Sequence, residues 1–113
     1  MDDCIFCKIA NKEIPTSLVY EDDLVAAFND LSPQAPVHVL IVPKKHYQSV
    51  LEVPEGDTIV AHMFHVASKL AKELGIAENG FRLVINTGKD GGQSVPLLHL
   101  HMTGGREHGW PAG

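Results

Sequence analysis

One long amphipathic segment constrains the fold of this chain more than any other feature of its sequence. Between Asp57 and Leu74, apolar side chains recur at helical spacing, which predicts a helix with one buried face. Asp57 or Thr58 is suited to cap its start, and Gly75 is suited to end it. The predicted core face consists of Ile59, Met63, Val66, Leu70 and Leu74.

Short apolar runs on either side of this helix are typical of β-strands. Strands are predicted at residues 18–20, 24–28, 37–42, 81–86 and 97–103. Residues 4–10 are apolar on one side, which predicts one or two further helical turns. Strands that follow one another with a single long helix among them favour an antiparallel sheet covered by helices. The sequence therefore predicts an α+β fold, not a doubly wound parallel sheet.

Length, charge and hydropathy exclude several classes of protein. With 113 residues, the chain is predicted to form one domain over residues 1–113, with a tail over residues 104–113. A net charge of −5 argues against a general binder of nucleic acids or membrane surfaces, which needs a basic footprint. No apolar run reaches the length of about 18 residues expected of a transmembrane helix. The acidic start lacks the apolar core of a signal peptide, so the expected compartment is the cytoplasm.

Cys4 and Cys7 form a Cys-x-x-Cys pair whose spacing is too local to staple the domain with a disulfide. The pair is then half of a zinc site or a redox pair. Redox pairs of this kind lie between a strand and a helix, and no predicted strand precedes Cys4, which disfavours that alternative. A third interpretation is that both are reduced thiols in a small apolar cluster.

The strongest local signal for chemistry is the predicted last strand, which carries His99 and His101 among apolar residues. Side chains alternate between the two faces of a strand, so both imidazoles share one face with Leu97. The opposite face, expected to pack into the core, consists of Leu98, Leu100 and Met102. Two imidazoles on one face are suited to a shared substrate anion or a metal ion. The alternative is two hydrogen-bonded histidines without a chemical role.

A glycine-rich turn ends at Gly91 and Gly92, and Ser94 follows just before this strand. Glycines let backbone N–H groups approach an anion, and Ser94 adds a hydroxyl. The sequence contains neither a P-loop motif nor a carboxylate cluster suited to magnesium. Any phosphate chemistry is therefore expected to use backbone and imidazole groups. A neutral histidine would act as nucleophile and form a phosphoramidate intermediate.

Eight segments taken together resemble the histidine-triad (HIT) superfamily and, within it, the histidine-triad nucleotide-binding (HINT) branch. They follow the family order over nearly the whole chain: Ile5-Phe6, Glu13-Ile14-Pro15, residues 30–38, residues 43–46, residues 91–95, His99-Leu100-His101, Gly104-Gly105-Arg106 and Trp110-Pro111. The resemblance implies an antiparallel sheet of about five strands with one long and one short helix. It also implies a homodimer in which the sheet continues across the interface.

The resemblance further implies an activity. The implied enzyme cleaves purine nucleoside 5′-phosphoramidates, of the adenosine 5′-monophosphoramidate type, to the nucleoside monophosphate. By the family pattern, His99 would attack the α-phosphorus and carry a nucleotidyl-histidine intermediate. His101 would hold a phosphate oxygen, and His38 would support the nucleophile. Contacts to the phosphate or the leaving group would come from Asn86, Gly92 and Ser94.

The same resemblance implies a binding site for a purine nucleotide such as AMP or GMP. Asp30 would accept hydrogen bonds from the ribose hydroxyls, since an acidic residue suits a diol. The base would be enclosed by Ile5, Phe6, Ile9, Phe28 and Leu31. No cofactor is expected to be required for catalysis.

One position departs from the family pattern, because Leu97 stands where the first histidine of the triad is expected. Members with an N-terminal Cys-x-x-Cys bind structural zinc through both thiolates, the histidine of the Pro-Lys-Lys-His segment and this first triad histidine. The chain keeps Cys4, Cys7 and His46 of these ligands. Since structural zinc normally takes four protein ligands, a zinc site and an apolar cluster without zinc both stay open.

Two other functions also stay open. With the first triad histidine lost, the chain could be a purine nucleotide-binding sensor or scaffold with weakened catalysis. The other function is that of a dinucleoside polyphosphate hydrolase, an activity of sister branches of the superfamily.

His62 and His65, three residues apart on the long helix, are interpreted as solvated side chains because no third metal ligand lies near them in sequence.

Overall fold

A computed structural model of the chain describes residues 5–13 and 17–113. Its helices are α1 (Ile5–Ala10) and α2 (Ile59–Glu73), with a short 3₁₀ helix at Val50–Glu52. Its strands are β1 (Tyr20–Glu21), β2 (Val25–Asn29), β3 (Val37–Pro43), β4 (Phe81–Val84) and β5 (Leu100–Gly104). All four pairings are antiparallel and give one sheet in the order β1-β2-β3-β5-β4. The predicted α+β fold, with five antiparallel strands, one long helix and one short helix, is confirmed.

Strand alternation gives the sheet two apolar faces. The larger core lies between the sheet and α2 and includes Val39, Ile41, Met63, Leu70, Leu100 and Met102. The smaller core lies on the α1 face and consists of Ile9, Ala10, Ala26, Phe28, Leu40, Val42 and Leu97. Because His38 neighbours Val39 on β3, its side chain points to the α1 face.

Helix α2 has the predicted face but not every predicted contact. Ile59, Met63, Val66 and Leu70 are buried as expected, and Asp57 Oδ1 accepts a hydrogen bond from the Ile59 N–H at 2.9 Å. Leu74 was expected in the core, but it is 40% exposed because it caps the helix after the last turn. Gly75 follows with a φ of +78° and ends the helix. No helix among the described residues is long and apolar enough to cross a membrane.

The last strand begins at Leu100, so the prediction that it starts at residue 97 is wrong. The chain bends before it, where the Leu97 N–H donates to the Val95 carbonyl at 2.7 Å. The Leu98 N–H donates to the Tyr47 carbonyl at 2.7 Å, which holds this stretch against the segment after β3. The predicted alternation still holds, since the residues that pack in the α2 core are Leu98, Leu100 and Met102.

His62 joins α2 to the turn between β1 and β2. Its Nε2 lies 2.7 Å from Asp22 Oδ2, and its side chain is 28% exposed. The interpretation of His62 as a solvated side chain is therefore wrong, because a carboxylate distant in sequence folds against the helix. His65 is exposed, as expected.

Candidate active site

Three imidazoles meet on the α1 face of the sheet. His38 lies on β3, His101 on β5, and His99 immediately before β5. His38 Nε2 is 2.9 Å from His101 Nδ1. The ring centroids of His99 and His101 are 4.9 Å apart. Antiparallel pairing of β3 with β5 thus brings together histidines that are far apart in the sequence.

His99 has its ring orientation and its proton fixed by a backbone carbonyl. The ring is buried, and its Nδ1 lies 2.6 Å from the carbonyl oxygen of Leu97. Because that oxygen can only accept, Nδ1 carries the proton and Nε2 keeps a free lone pair. Burial lowers the pKa of His99 below 6.5, and the hydrogen bond to Leu97 and the charge of Asp30 oppose this only in part. The result is a neutral imidazole with one unprotonated nitrogen.

A second backbone contact determines which ring nitrogen carries the proton in His38 and in His101. The Gln34 N–H donates to His38 Nδ1 at 3.0 Å, so the proton of neutral His38 lies on Nε2. That Nε2–H donates to His101 Nδ1, which leaves neutral His101 with its proton on Nε2. Burial, together with the nearby His99 and His38, lowers the pKa of His101 to about 4. His101 is therefore a neutral hydrogen-bond donor at pH 7.

The hydrogen-bond partner of His38 is His101 and not His99. The resemblance to the histidine-triad family implies that His38 supports the nucleophile, His99. In this geometry His38 acts on His101, and any influence on His99 passes through the contact between the rings of His99 and His101.

Asp30 follows the end of β2 and borders the histidines. Its Oδ1 accepts a hydrogen bond from the Ser32 N–H at 2.7 Å, and its Oδ2 lies 3.5 Å from His38 Nε2. Its own N–H donates to the His38 carbonyl at 2.9 Å. The carboxylate is half-buried, so it keeps a solvent-facing side that can accept hydrogen bonds from a ligand.

An apolar cleft of about 300 Å³ opens next to Asp30. Its lining includes Phe6 and Ile9 of α1, Phe28, Leu31 and Val95. The Phe6 ring packs edge-on against Phe28 at 5.5 Å and against His99 at 5.0 Å between centroids. Leu31 is 98% exposed, so it forms a rim and not a wall. The backbone of Ile5 begins α1, but its side chain lies outside the described residues.

The predicted phosphate contacts surround the glycine-rich turn. Ser94 is exposed and lines the apolar cleft, and it also borders an open depression of about 550 Å³. Gly92 has a φ of +79°, a backbone conformation that favours glycine. Asn86 is half-buried two residues after β4. Of these three residues, only Ser94 is seen to line the cleft.

Two glutamines were not among the predicted site residues. Gln34 supplies the N–H that fixes the proton on His38. Gln93 holds the glycine-rich turn, because its side chain accepts from the Gly88 N–H at 2.9 Å and donates to the Gln48 carbonyl at 2.7 Å. The Gln93 role could have been suspected from its position after two glycines. The Gln34 contact uses a backbone group, which no residue type signals.

Among the described residues, one group of side chains could in principle hold a metal ion. It consists of Asp30, His38 and His101, whose ligand atoms all lie within 4.8 Å of one another. The hydrogen bond from the Gln34 N–H to His38 Nδ1 argues against a metal there. For Nε2 to bind a metal ion, neutral His38 would have to move its proton to Nδ1, where it would face the Gln34 N–H. The arrangement fits a hydrogen-bond relay better than a metal site.

Two of the predicted zinc ligands meet, since Cys7 Sγ lies 2.9 Å from His46 Nδ1. His46 Nε2 is buried and has no hydrogen-bond partner among the described residues. Cys4 lies outside the described residues. Leu97 is fully buried in the core on the α1 face, where it packs near Cys7 and offers no donor atom. The described residues therefore do not complete a four-ligand zinc site.

Comparison with known proteins bears on what this cluster does. The chain matches the HIT domain family over residues 11–108. A purine nucleoside phosphoramidase of Escherichia coli (strain K12) is 48% identical over 109 residues, which cover 96% of this chain and 92% of that protein.

Solved structures agree in fold. A histidine triad protein from Clostridium difficile has a TM-score of 0.94 and 54% identity, and the match covers 96% of each chain. A HIT family hydrolase from Legionella pneumophila Philadelphia 1 has a TM-score of 0.94 and 47% identity, covering 98% of this chain and 100% of that one. This chain is accordingly an enzyme, a hydrolase of the histidine-triad type. With a family match over most of its length and relatives at this level of identity, the chain belongs to the HIT domain family.

Proposed function

We propose that this enzyme hydrolyses purine nucleoside 5′-phosphoramidates to nucleoside monophosphates through a nucleotidyl intermediate on His99. The observation that carries the proposal is the 2.6 Å contact between His99 Nδ1 and the Leu97 carbonyl oxygen. It leaves Nε2 as an unprotonated, neutral nucleophile. The Escherichia coli relative is named a purine nucleoside phosphoramidase, which supports the substrate class.

Substrate binding uses the apolar cleft and the carboxylate beside it. The purine lies in the cleft against Phe6 and Phe28, whose rings offer an apolar surface to a flat base. Asp30 accepts hydrogen bonds from the ribose hydroxyls with the side of its carboxylate that faces solvent. This pose directs the 5′-phosphoryl group toward the imidazoles, with Ser94 at the border of the cleft.

In the first half-reaction, His99 Nε2 attacks phosphorus. A bond forms from Nε2 to phosphorus as the bond from phosphorus to the leaving nitrogen breaks, and that nitrogen takes a proton to leave as an amine. We assign this proton transfer to the Ser94 hydroxyl, with solvent restoring its proton. The Nε2–H of His101 donates to a phosphoryl oxygen, on which negative charge must be held. The open depression beyond Ser94 receives the amine.

In the second half-reaction, water attacks the nucleotidyl-histidine. A phosphorus–oxygen bond forms, the phosphorus–Nε2 bond breaks, and His99 returns to the neutral form with its proton still on Nδ1. The proton released by the attacking water passes to solvent. No metal ion enters either step, because two neutral imidazoles and a hydroxyl supply the nucleophile, the donor to oxygen and the proton route.

The position of Leu97 favours an enzyme over a sensor with weakened catalysis. Its side chain is fully buried in the core on the α1 face and does not line the substrate cleft. Its contribution to His99 is made by the backbone carbonyl, which any residue provides. The loss of histidine at this position therefore removes no group that the proposed reaction uses.

We also propose that the enzyme is a cytoplasmic homodimer. Strand β4 is an edge of the sheet, and all four of its residues are only half-buried. Phe64 of α2 is 42% exposed and Leu74 is 40% exposed, an apolar surface that a second copy would cover. Sedimentation equilibrium tests this assembly, and a monomer at micromolar concentration would contradict it.

Turnover of adenosine 5′-phosphoramidate tests the proposed activity. We expect AMP release that EDTA does not abolish, and that His99→Asn lowers by about 10³-fold or more, as loss of a catalytic nucleophile does. His65→Asn is the matched control, because His65 is exposed on α2 outside the site. A dinucleoside polyphosphate is offered in parallel. Faster cleavage of that substrate, or turnover that survives His99→Asn, would contradict the proposal.

Zinc content is a separate question with a separate measurement. Any zinc held by Cys4, Cys7 and His46 would be structural, since Cys7 and His46 lie outside the lining of the cleft. Because Leu97 supplies no fourth ligand, we expect less than one zinc per chain in metal analysis of the purified protein. One tightly held zinc per chain would contradict this.

A further inference from the structure

The proton on His38 is set by the loop between β2 and β3. The Gln34 N–H points at His38 Nδ1 from 3.0 Å. If His38 carried its proton on Nδ1, two hydrogens would face each other across that contact. The backbone of Gln34 therefore selects the form of His38 that is protonated on Nε2.

The proton position of His38 in turn determines that of His101, because His38 Nε2 and His101 Nδ1 are 2.9 Å apart. With its proton on Nε2, His38 donates to His101 Nδ1 and leaves a proton on His101 Nε2. In the inverted arrangement, His38 Nε2 accepts, His101 Nδ1 must donate, and His101 Nε2 is bare. An unprotonated nitrogen repels a phosphoryl oxygen instead of stabilising it. The Gln34 N–H, together with the Asp30 carboxylate 3.5 Å from His38 Nε2, therefore favours the arrangement in which His101 is a donor.

Gln34 is itself held by the turn that follows β5. Arg106 Nε donates to the Gln34 carbonyl at 3.1 Å. Gly105 packs so closely on the same loop that a Cβ there would lie 2.9 Å from Pro36 Cβ, and its φ is +87°. Arg106 also donates from Nη1 to the Glu107 carbonyl at 2.9 Å, which orients the guanidinium. The two loops are thus joined by a hydrogen bond and a tight packing contact.

We propose that Arg106 is a positioning residue, which holds Gln34 so that the Gln34 N–H fixes the proton on His38 and, through it, on His101. Arg106 acts from outside the site, since it contacts the loop and not the imidazoles. The consequence for the reaction rate rests on the proposed function. The consequence for the proton positions does not, because it follows from the hydrogen-bond chain alone.

Imidazole ¹⁵N NMR spectra of histidine-labelled protein test the proposal directly, because they report which ring nitrogen carries the proton. In the wild type we expect the Nε2–H form at His38 and His101 and the Nδ1–H form at His99. In Arg106→Ala, we expect a mixture of both forms at His38 and His101. His99 is the internal control, because its partner is the Leu97 carbonyl, which this variant leaves in place.

A matched variant separates this role from a general loss of order. Arg82 Nη2 donates to the Gly109 carbonyl at 2.8 Å, a bond of the same kind that does not involve the β2–β3 loop. Arg82→Ala should leave all three proton positions unchanged. Arg106→Lys keeps a donor and should restore most of the wild-type pattern. If Arg106→Ala does not fold, Arg106→Met keeps the aliphatic stem and tests the same bond.

Kinetics supply the second readout. Arg106→Ala should lower kcat for the phosphoramidate by about tenfold, equivalent to about 1.4 kcal/mol in the barrier. Arg106→Lys should recover most of that loss, and Arg82→Ala should stay close to the wild-type rate. Unchanged proton positions at His38 and His101 in Arg106→Ala would overturn the proposal whatever the rate. If the wild type itself has no phosphoramidase activity but Arg106→Ala still shifts the proton positions, the proposed function is overturned and the role of Arg106 stands.

Discussion

The imidazoles of buried His99 and half-buried His101 stay neutral below the pH at which an ordinary histidine takes a proton. Burial lowers the pKa of both, and the nearby His99 and His38 help to lower that of His101 to about 4 from 6.5. Protonation would remove the lone pair of the nucleophile. Since a lowered pKa keeps His99 unprotonated to lower pH, we expect the acid limb of kcat/KM to lie below 6.5. Initial rates between pH 4 and 8 check this, and an acid limb centred at the ordinary 6.5 would contradict it.

Leu97 contributes a carbonyl to the site and a side chain to the core. Leu97→Ala should lower the free energy of unfolding by about 2–5 kcal/mol, because it opens a cavity in a fully buried cluster. Its kcat measured well below the unfolding temperature should stay within a few-fold of wild type, since the carbonyl remains. Denaturant unfolding and initial rates measure the two effects. A large gain in kcat for Leu97→His would contradict this account and favour a sensor with weakened catalysis.

The residue pattern of the last strand was enough to name His99 and His101 as candidates, and the family resemblance added His38 and Asp30. The fold brings these four residues close together. They were not enough to specify which nitrogen of each ring carries the proton. That depends on a carbonyl and an N–H of the main chain, at Leu97 and Gln34, whose directions arise from local bends. Side-chain patterns carry no signal for such backbone contacts.

At the scale of elements, the Asp22 carboxylate connects the turn between β1 and β2 to α2 by a hydrogen bond with His62. Asp22 accepts hydrogen bonds from the N–H groups of Leu24 and Val25, from the Tyr20 hydroxyl and from His62 Nε2. Burial alone would raise the pKa of Asp22, but these hydrogen bonds outweigh it and lower the pKa from 3.8 to about 2. The folded state therefore favours the charged carboxylate.

Replacing this carboxylate should destabilise the fold in a pH-dependent way. A lowered pKa in the folded state stabilises the protein above the unfolded value of 3.8, and this contribution is lost as the pH falls toward 2. Asp22→Ala should lower the Tm at pH 7 by about 5 °C or more, as expected for loss of several hydrogen bonds in a chain of this size. Thermal unfolding of both proteins checks this. The same difference in Tm at pH 2.5 as at pH 7 would contradict it.

Elements with strong periodicity were predicted better than those defined by long-range pairing. Helix α2 appears with its predicted face because its apolar spacing is a local property. The start of the last strand was misplaced, because pairing with β3 begins only at Leu100 and the preceding residues bend to reach Tyr47. The bond from His62 to Asp22 was missed for the same reason, since it joins residues 40 positions apart.

At the scale of the whole molecule, the two faces of the sheet carry different groups of residues. The α2 face holds the larger core, whereas the α1 face combines a small core with the imidazoles and the cleft. Because α1 supplies Phe6 and Ile9 to that cleft, anchoring this short helix is part of building the binding site. The overall arrangement could be predicted from the element pattern and the family resemblance, and the loss of a ligand at Leu97 could be read from the sequence. The structure adds that the Leu97 side chain packs in the core on the α1 face.

The central claim is that His99 carries the nucleotidyl group during turnover. The most direct test is to mix enzyme with adenosine 5′-phosphoramidate, quench in alkali, where a phosphorus–nitrogen bond to imidazole survives, and map the modified peptide by mass spectrometry. We predict an adenylyl group on His99 that forms and decays at least as fast as kcat, and that is lost in His99→Asn. Full turnover with no adduct, or with the adduct on another residue, would contradict the account.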